Sequence, residues 1–211
     1  MTKIKAIIFD MDGVLIDAKE WHFEALNRAL TLFGMAISRY DHLVTYDGLP
    51  TKTKLRMLSL ERGLPEALHG FINEMKQIYT MEVIYARCKP VFQHQFALSR
   101  LRAEGYRMAV CSNSIRNTIA MMLERAELLP FLEFFLSNED VAAPKPAPDM
   151  YLKAIERMGL LPEQCLIVED NPNGIKAARD SGAHVLCVHD VREVNHANIT
   201  QTIAALEAGH A

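Results

Sequence analysis

The sequence predicts an α/β protein, a doubly wound parallel sheet with a small helical domain inserted after its first strand. Three observations predict it. Short apolar, β-branched segments run almost without period-2 alternation, as strands do when both sheet faces are covered. Helical patterns lie between most of them, and strand–helix–strand alternation implies right-handed crossovers and a parallel sheet. That alternation breaks only between the first strand and about residue 90, where helical segments follow one another without a strand.

The strands expected are Ile4–Asp10, Tyr106–Ser112, a weaker Phe134–Ser137, Gln164–Asp170 and His184–His189. Helices are expected near Ser114–Glu127, near Asp149–Met158 with Pro148 at its start, and near Asn173–Ser181, stopped by Gly182. The inserted segments are Lys19–Phe33, Thr51–Arg62 and Pro65–Ala86, punctuated by Gly34, the turn 47–50 and Gly63. The expected division is therefore a core of residues 1–15 and 90–211 and a helical domain of residues 16–89.

Bulk properties narrow the function. The 211 residues are 50% hydrophobic, enough for a buried core, and the formal net charge is -3. No basic stripe calls for a nucleic-acid partner. The lead-in from Thr2 to Phe9 is too short for the apolar region of a signal peptide and runs straight into an acid. No run approaches the roughly 18 apolar residues of a membrane span. Cys88, Cys111, Cys165 and Cys187 lie far apart without CxxC spacing, which fits free thiols in a reducing, cytoplasmic setting better than zinc or disulfides. The other histidines, from His42 to His210, are scattered and support no metal site. Oligomeric state is not readable.

Ligands of open parallel sheets bind beyond the carboxyl ends of the strands. There the first strand exits into Asp10-Met11-Asp12-Gly13, the second into Ser112-Asn113-Ser114, and a later one into Glu169-Asp170. Lys145 lies between Pro144 and Pro146 in the loop after the weak strand, and the two prolines restrict that loop. Four acids against one lysine leave a charge of -3 in one crevice, which demands pKa shifts or a cation. All the donors are oxygens, so a hard ion is expected, and Mg²⁺ fits because it accepts few protein ligands. Taken singly, Asp10 and Asp12 read equally well as turn acids, and Glu169-Asp170 as a helix cap.

These residues resemble the haloacid dehalogenase superfamily over most of the chain. Its four motifs stand in order as Asp10-Met11-Asp12-Gly13, Met108–Asn113, Lys145-Pro146-Ala147-Pro148, and Cys165–Asp170. The resemblance implies a Rossmann-like core and a phosphatase acting on a small phosphorylated metabolite. Asp10 would be the nucleophile and Asp12 the general acid and base. The Asp10 side chain, the Asp12 carbonyl and Asp170 would hold the metal, with Glu169 orienting a coordinated water. Ser112, the Asn113 amide and Lys145 would grip the phosphoryl oxygens. Asp12 favours phosphate-ester chemistry over dehalogenation, since the dehalogenases lack that second aspartate.

Within the superfamily the chain is most similar to the β-phosphoglucomutase-like group, whose helical cap follows the first motif. His22 falls where that group has a histidine near the acid/base aspartate, although it also reads as an ordinary helix-face residue. The turn 48–52 resembles the group's substrate-facing loop, with Lys52 as a candidate phosphate contact. Thr51 stands where the mutase carries a phosphate-binding arginine, so hydrolysis is expected over mutase chemistry. Lys52 and Lys54 read also as solvated first-turn residues. Arg116 is a candidate substrate contact over the cleft, or a solvated helix residue. The remaining alternatives are a phosphosugar mutase and a non-catalytic phosphate-binding module.

Overall fold

The computed structural model describes residues 3–209, so Thr2 and His210 lie outside the described residues. In chain order the elements are β1 (Ala6–Phe9), α1 (Lys19–Thr31), α2 (Arg39–Asp41), α3 (Thr51–Arg62), α4 (His69–Arg87), α5 (Phe92–Ala103), β2 (Arg107–Cys111), α6 (Arg116–Arg125), β3 (Phe134–Leu136), α7 (Asp149–Arg157), β4 (Cys165–Glu169), α8 (Pro172–Asp180), β5 (His184–Cys187) and α9 (His196–Ala208). The chain falls into two compact units, one running up to Asp17 and resuming at Lys89, the other spanning Ala18–Cys88.

The larger unit is the expected parallel sheet, in the order β3-β2-β1-β4-β5. Every paired strand is parallel to its neighbour, with Phe9 beside Val110 on one side and beside Val168 on the other. All of β1 is buried, which explains its unbroken apolar run. One core layer gathers Ile8, Ala109, Cys111, Ile167, Met150, Tyr151, Ala154 and Ala177. The helices α5 and α9 went unforeseen. In α5 the inward residues Ala97, Leu98 and Leu101 are accompanied by exposed Phe92 and Phe96, which blur the period. In α9 only Ile199 and Ile203 are buried, although Asn195 caps it by accepting from the Asn198 amide.

The smaller unit packs α1, α3 and α4 around Leu26, Leu30, Tyr46, Leu55, Leu58 and Ile72. Asn27 ties the chain after α1 back to it, donating to the Ile37 carbonyl at 2.9 Å and accepting from the Ile37 amide at 2.8 Å. The short helix α2 runs on into a π-helical turn, His42–Tyr46. Among all described residues no helix is long and apolar enough to cross a membrane. Cys88, Cys111 and Cys165 are buried free thiols, and Cys187 is an exposed one.

His42 is 1% exposed, lies 5.0 Å from the Phe23 ring, and neither of its ring nitrogens meets a hydrogen-bond partner. Its Nε2 stands 3.9 Å from Asp47, within charge range only. Burial, and then the Lys54 ammonium, hold its pKa below the ordinary value against the pull of Asp47 and Glu20, with His22 lowering it further. The folded protein therefore protonates His42 less readily than the unfolded chain, which takes up a proton below about pH 6.5. Stability should fall as pH drops through that value. Thermal melts at about pH 7.5 and 5.5 should show a lower midpoint in acid, and His42→Phe should narrow the difference. An undiminished difference in the variant would refute this origin.

Candidate active site

The row of acids at the strand ends is set by strand register. Asp10 follows Phe9, and its amide donates to the Val168 carbonyl at 2.9 Å as the last rung before the chain turns. The turn is tight. The Met11 carbonyl accepts from the Leu15 amide at 3.0 Å and the Ile16 amide at 2.9 Å, while Gly13 donates to the Ile16 carbonyl at 2.7 Å. Gly13 has a φ of 92°, a conformation that costs little only for glycine. Asp12 is thereby brought to the exit of β2, where the hydroxyls of Ser112 and Ser114 both donate to its Oδ2 at 3.1 Å. Ser112 Oγ in turn accepts from the Ser114 amide at 3.1 Å.

Asn113 positions the lysine loop through its side chain, a role its sequence gave no sign of. Its Nδ2 donates to the Lys145 carbonyl and its Oδ1 accepts from the Lys145 amide, both at 3.0 Å. Asn138 steadies it by donating to the Asn113 carbonyl at 2.8 Å. The Lys145–Pro146 peptide is cis. From this clamp Lys145, only 3% exposed, sends its ammonium inward. It donates to Asp10 Oδ1 at 2.6 Å, to Glu169 Oε1 at 2.6 Å and to the Cys111 carbonyl at 2.8 Å. An ammonium has three protons, and all three are matched.

Glu169 is 1% exposed and engaged at both oxygens. Oε1 accepts from Lys145 and from the Tyr151 hydroxyl, the latter at 2.6 Å. Oε2 accepts from the amides of Asp170 at 3.0 Å and Asn171 at 3.3 Å. Protein donors thus reach both Glu169 oxygens. The other side of that carboxylate is walled by Gly174 in the first turn of α8, where a Cβ would stand 1.8 Å from Oε1.

The charges are uneasy. Burial pushes Asp10 well above the usual carboxylate range, Lys145 pulls it down, and Glu169, Asp170 and Asp12 push it up again. Burial alone would lower Lys145, yet Asp10 and Glu169 outweigh it and raise its pKa. The lysine stays charged. Carboxylate oxygens of Asp10, Glu169 and Asp170 lie within 4.8 Å of one another, a spacing and a hard-oxygen donor set that suit a divalent cation.

Of the candidates singled out above, Asp10, Asp12, Ser112, Asn113, Lys145, Glu169 and Asp170 meet at the carboxyl ends of the strands. The Arg116 guanidinium pairs with Asp140 and lies 5.5 Å over the Phe135 ring. His22 and Lys52 belong to the helical unit. There His22 Nδ1 lies 3.4 Å from Lys76 Nζ, Lys52 is exposed, and Lys54 is the buried lysine of that helix. Sequence reading placed Ser114 on the rim without naming its partner, and it missed Tyr151 and the role of Gly174. A hydroxyl inside the apolar stripe Met150, Tyr151, Ala154, Ile155 was the available signal, since a buried tyrosine seeks a partner.

A family model described as haloacid dehalogenase-like hydrolase matches residues 7–188. A phosphorylated carbohydrates phosphatase of Thermotoga maritima is 26% identical over 209 residues, covering 98% of this chain and 92% of its own. A phosphoglycolate phosphatase of Nitrosospira multiformis is 28% identical, covering 88% and 83%. The crystal structure of a β-phosphoglucomutase from Clostridium difficile superposes with a TM-score of 0.83 at 19% identity, over 97% of this chain and 99% of that one. At that identity the likeness is one of fold.

The wall against Glu169 yields a stability test. In Gly174→Ala the new methyl and the buried carboxylate occupy the same space, and the carboxylate is held by four donors. Denaturant unfolding should show a loss of about 3 kcal/mol, at the upper end of ordinary overpacking. A gain like that of an exposed helical Gly→Ala change, about 0.5–1 kcal/mol, would show that the carboxylate is not fixed there.

Proposed function

The chain belongs to the haloacid dehalogenase-like hydrolase family, and we propose that it is a Mg²⁺-dependent phosphatase of a small phosphorylated metabolite, specifically a sugar phosphate. The observation that carries the proposal is the buried Asp10 carboxylate on the strand rim, pinned by Lys145 at one oxygen and grouped with Glu169 and Asp170. A relative that acts on phosphorylated carbohydrates supports the substrate class. Free cysteines fit a cytoplasmic setting.

In this reading Asp10 attacks phosphorus. The ester P–O bond breaks as an Asp10 O–P bond forms, and Asp12 gives its proton to the leaving alkoxide. Asp12 then takes a proton from the attacking water, the acyl-phosphate P–O bond breaks, and orthophosphate leaves with Asp10 restored. Ser114 holds the Asp12 carboxylate in place for both transfers. Ser112, the Asn113 amide and Lys145 turn donors to the nonbridging oxygens, where charge grows. The Asp10 and Asp170 side chains and the Asp12 carbonyl would hold Mg²⁺, which offsets the charge of acids and phosphoryl group together. In the same proposal residues 16–89 would be the cap that selects the leaving group, with His22 and Lys52 as its substrate contacts. Thr51 offers no bidentate fork for a second phosphate, which favours hydrolysis over a mutase cycle.

Purified protein with Mg²⁺ should release inorganic phosphate from members of a sugar-phosphate panel, and Asp10→Asn should lower kcat at least about 1,000-fold. Interconversion of hexose 1- and 6-phosphates without phosphate release would establish a mutase instead. Wild-type inactivity across a broad panel would favour a phosphate-binding module. A chelator should abolish phosphate release and added Mg²⁺ should restore it. Full turnover in the chelator would remove the metal from the scheme.

A further inference from the structure

We propose that Tyr151 is a positioning residue of this site, its hydroxyl fixing Glu169 so that Glu169 in turn aims the Lys145 ammonium at Asp10. The proposal rests on the phosphatase reading for its kinetic consequences and on geometry alone for its structural one. Tyr151 lies in the first turn of α7, fully buried. It touches the pair twice. Its hydroxyl donates to Glu169 Oε1 at 2.6 Å, and Lys145 Nζ sits over its ring, 4.6 Å from the centroid.

The hydroxyl is not needed for charge balance or packing. Lys145 already supplies Glu169 with a counter-charge at the same oxygen, and a phenyl ring would fill the same core space. What the hydroxyl adds is direction. An oxygen with one donor can swing about its carboxylate axis toward that donor, whereas an oxygen held by two donors from different elements cannot. Oε2 is tied to the turn leading into α8, and Gly174 closes the remaining side. With Glu169 immobile, two of the lysine's protons are anchored, at Oε1 and at the Cys111 carbonyl. The third then points at Asp10 Oδ1, the edge where phosphoryl charge would develop. Sharing Oε1 with Tyr151 also weakens the hold of Glu169 on the ammonium, so the lysine is not drawn away from Asp10.

Tyr151→Phe removes the hydroxyl and keeps the ring. Its kcat should fall roughly 10-fold with KM within about twofold, because a contact that acts through Lys145 is felt in the transition state and not in substrate affinity. The Mg²⁺ concentration for half-activation should stay within about twofold, separating this effect from damage to the metal ligands. In a Glu169→Gln background the same change should cost less than about twofold, since the two act as one unit. A merely structural tyrosine would lower the melting temperature and leave the specific activity of folded protein unchanged. Unchanged kcat, or an equal loss in both backgrounds, overturns the proposal. Crystal structures of wild type and Tyr151→Phe decide it without activity: Glu169 should rotate and Lys145 Nζ should leave hydrogen-bond reach of Asp10, and an identical triad refutes it. If wild type releases no phosphate from any substrate, the phosphatase reading fails, while the pair of crystal structures still rules on Tyr151.

Discussion

Lys145 Nζ is a buried cation with three acceptors, and the order of the whole strand rim depends on it. The acceptors come from three adjacent strand exits: Asp10 after β1, Cys111 at the end of β2 and Glu169 at the end of β4. Because Phe9 pairs with Val110 and with Val168, the next residues along, Asp10, Cys111 and Glu169, fall in one row. Strands about 4.8 Å apart bring such a row within reach of a single ammonium. A shift of one residue in either pairing would move one acceptor out of the row and leave the buried ammonium short of a partner. Register, loop clamp and ion pair therefore hold one another in place.

The same row is electrostatically unfinished. One lysine does not balance the acids around it, and burial and neighbouring carboxylates push Asp10 above its usual range even with the ammonium beside it. A core chosen for stability alone would dilute these charges. Their concentration suits the proposed function, in which a hard cation would join the acids and a phosphoryl group would meet the lysine and hydroxyls. Perturbed carboxylates in a crevice are a mark of such sites.

Much of this was legible in the sequence because a doubly covered parallel sheet writes itself plainly. Continuous apolar runs located β1, β2 and β4, and their exits located Asp10, Ser112, Glu169 and Asp170. What the runs could not convey was partnership. Tyr151 sits in an apolar helix stripe and reads as core, since only the fold brings its hydroxyl to a carboxylate 18 residues away. Gly174 reads as a helix-weakening residue until the carboxylate beside it is seen. Arg116 is one turn from the site in sequence, yet Asp140, in a different loop, claims its charge. The helices α5 and α9 were illegible for another reason. Their buried faces are narrow and their outer faces carry apolar side chains, so neither period nor composition separates inside from outside.

The row's self-sufficiency also bears on where specificity arises. Every proton of Lys145 is committed, and the Ser112 hydroxyl is given to Asp12. In the proposed reading a phosphoryl oxygen gains these donors only by replacing a carboxylate that already holds them, so the exchange of one charged hydrogen bond for another would yield little net affinity. The gain is greater when the phosphoryl charge increases in the transition state. Donors of this kind favour turnover over tight ground-state binding. They also treat all phosphate monoesters alike, because each presents the same three oxygens. Discrimination among substrates must then rest on groups that contact the leaving alcohol. Motifs that fix the chemistry so firmly are for that reason silent about which metabolite is cleaved.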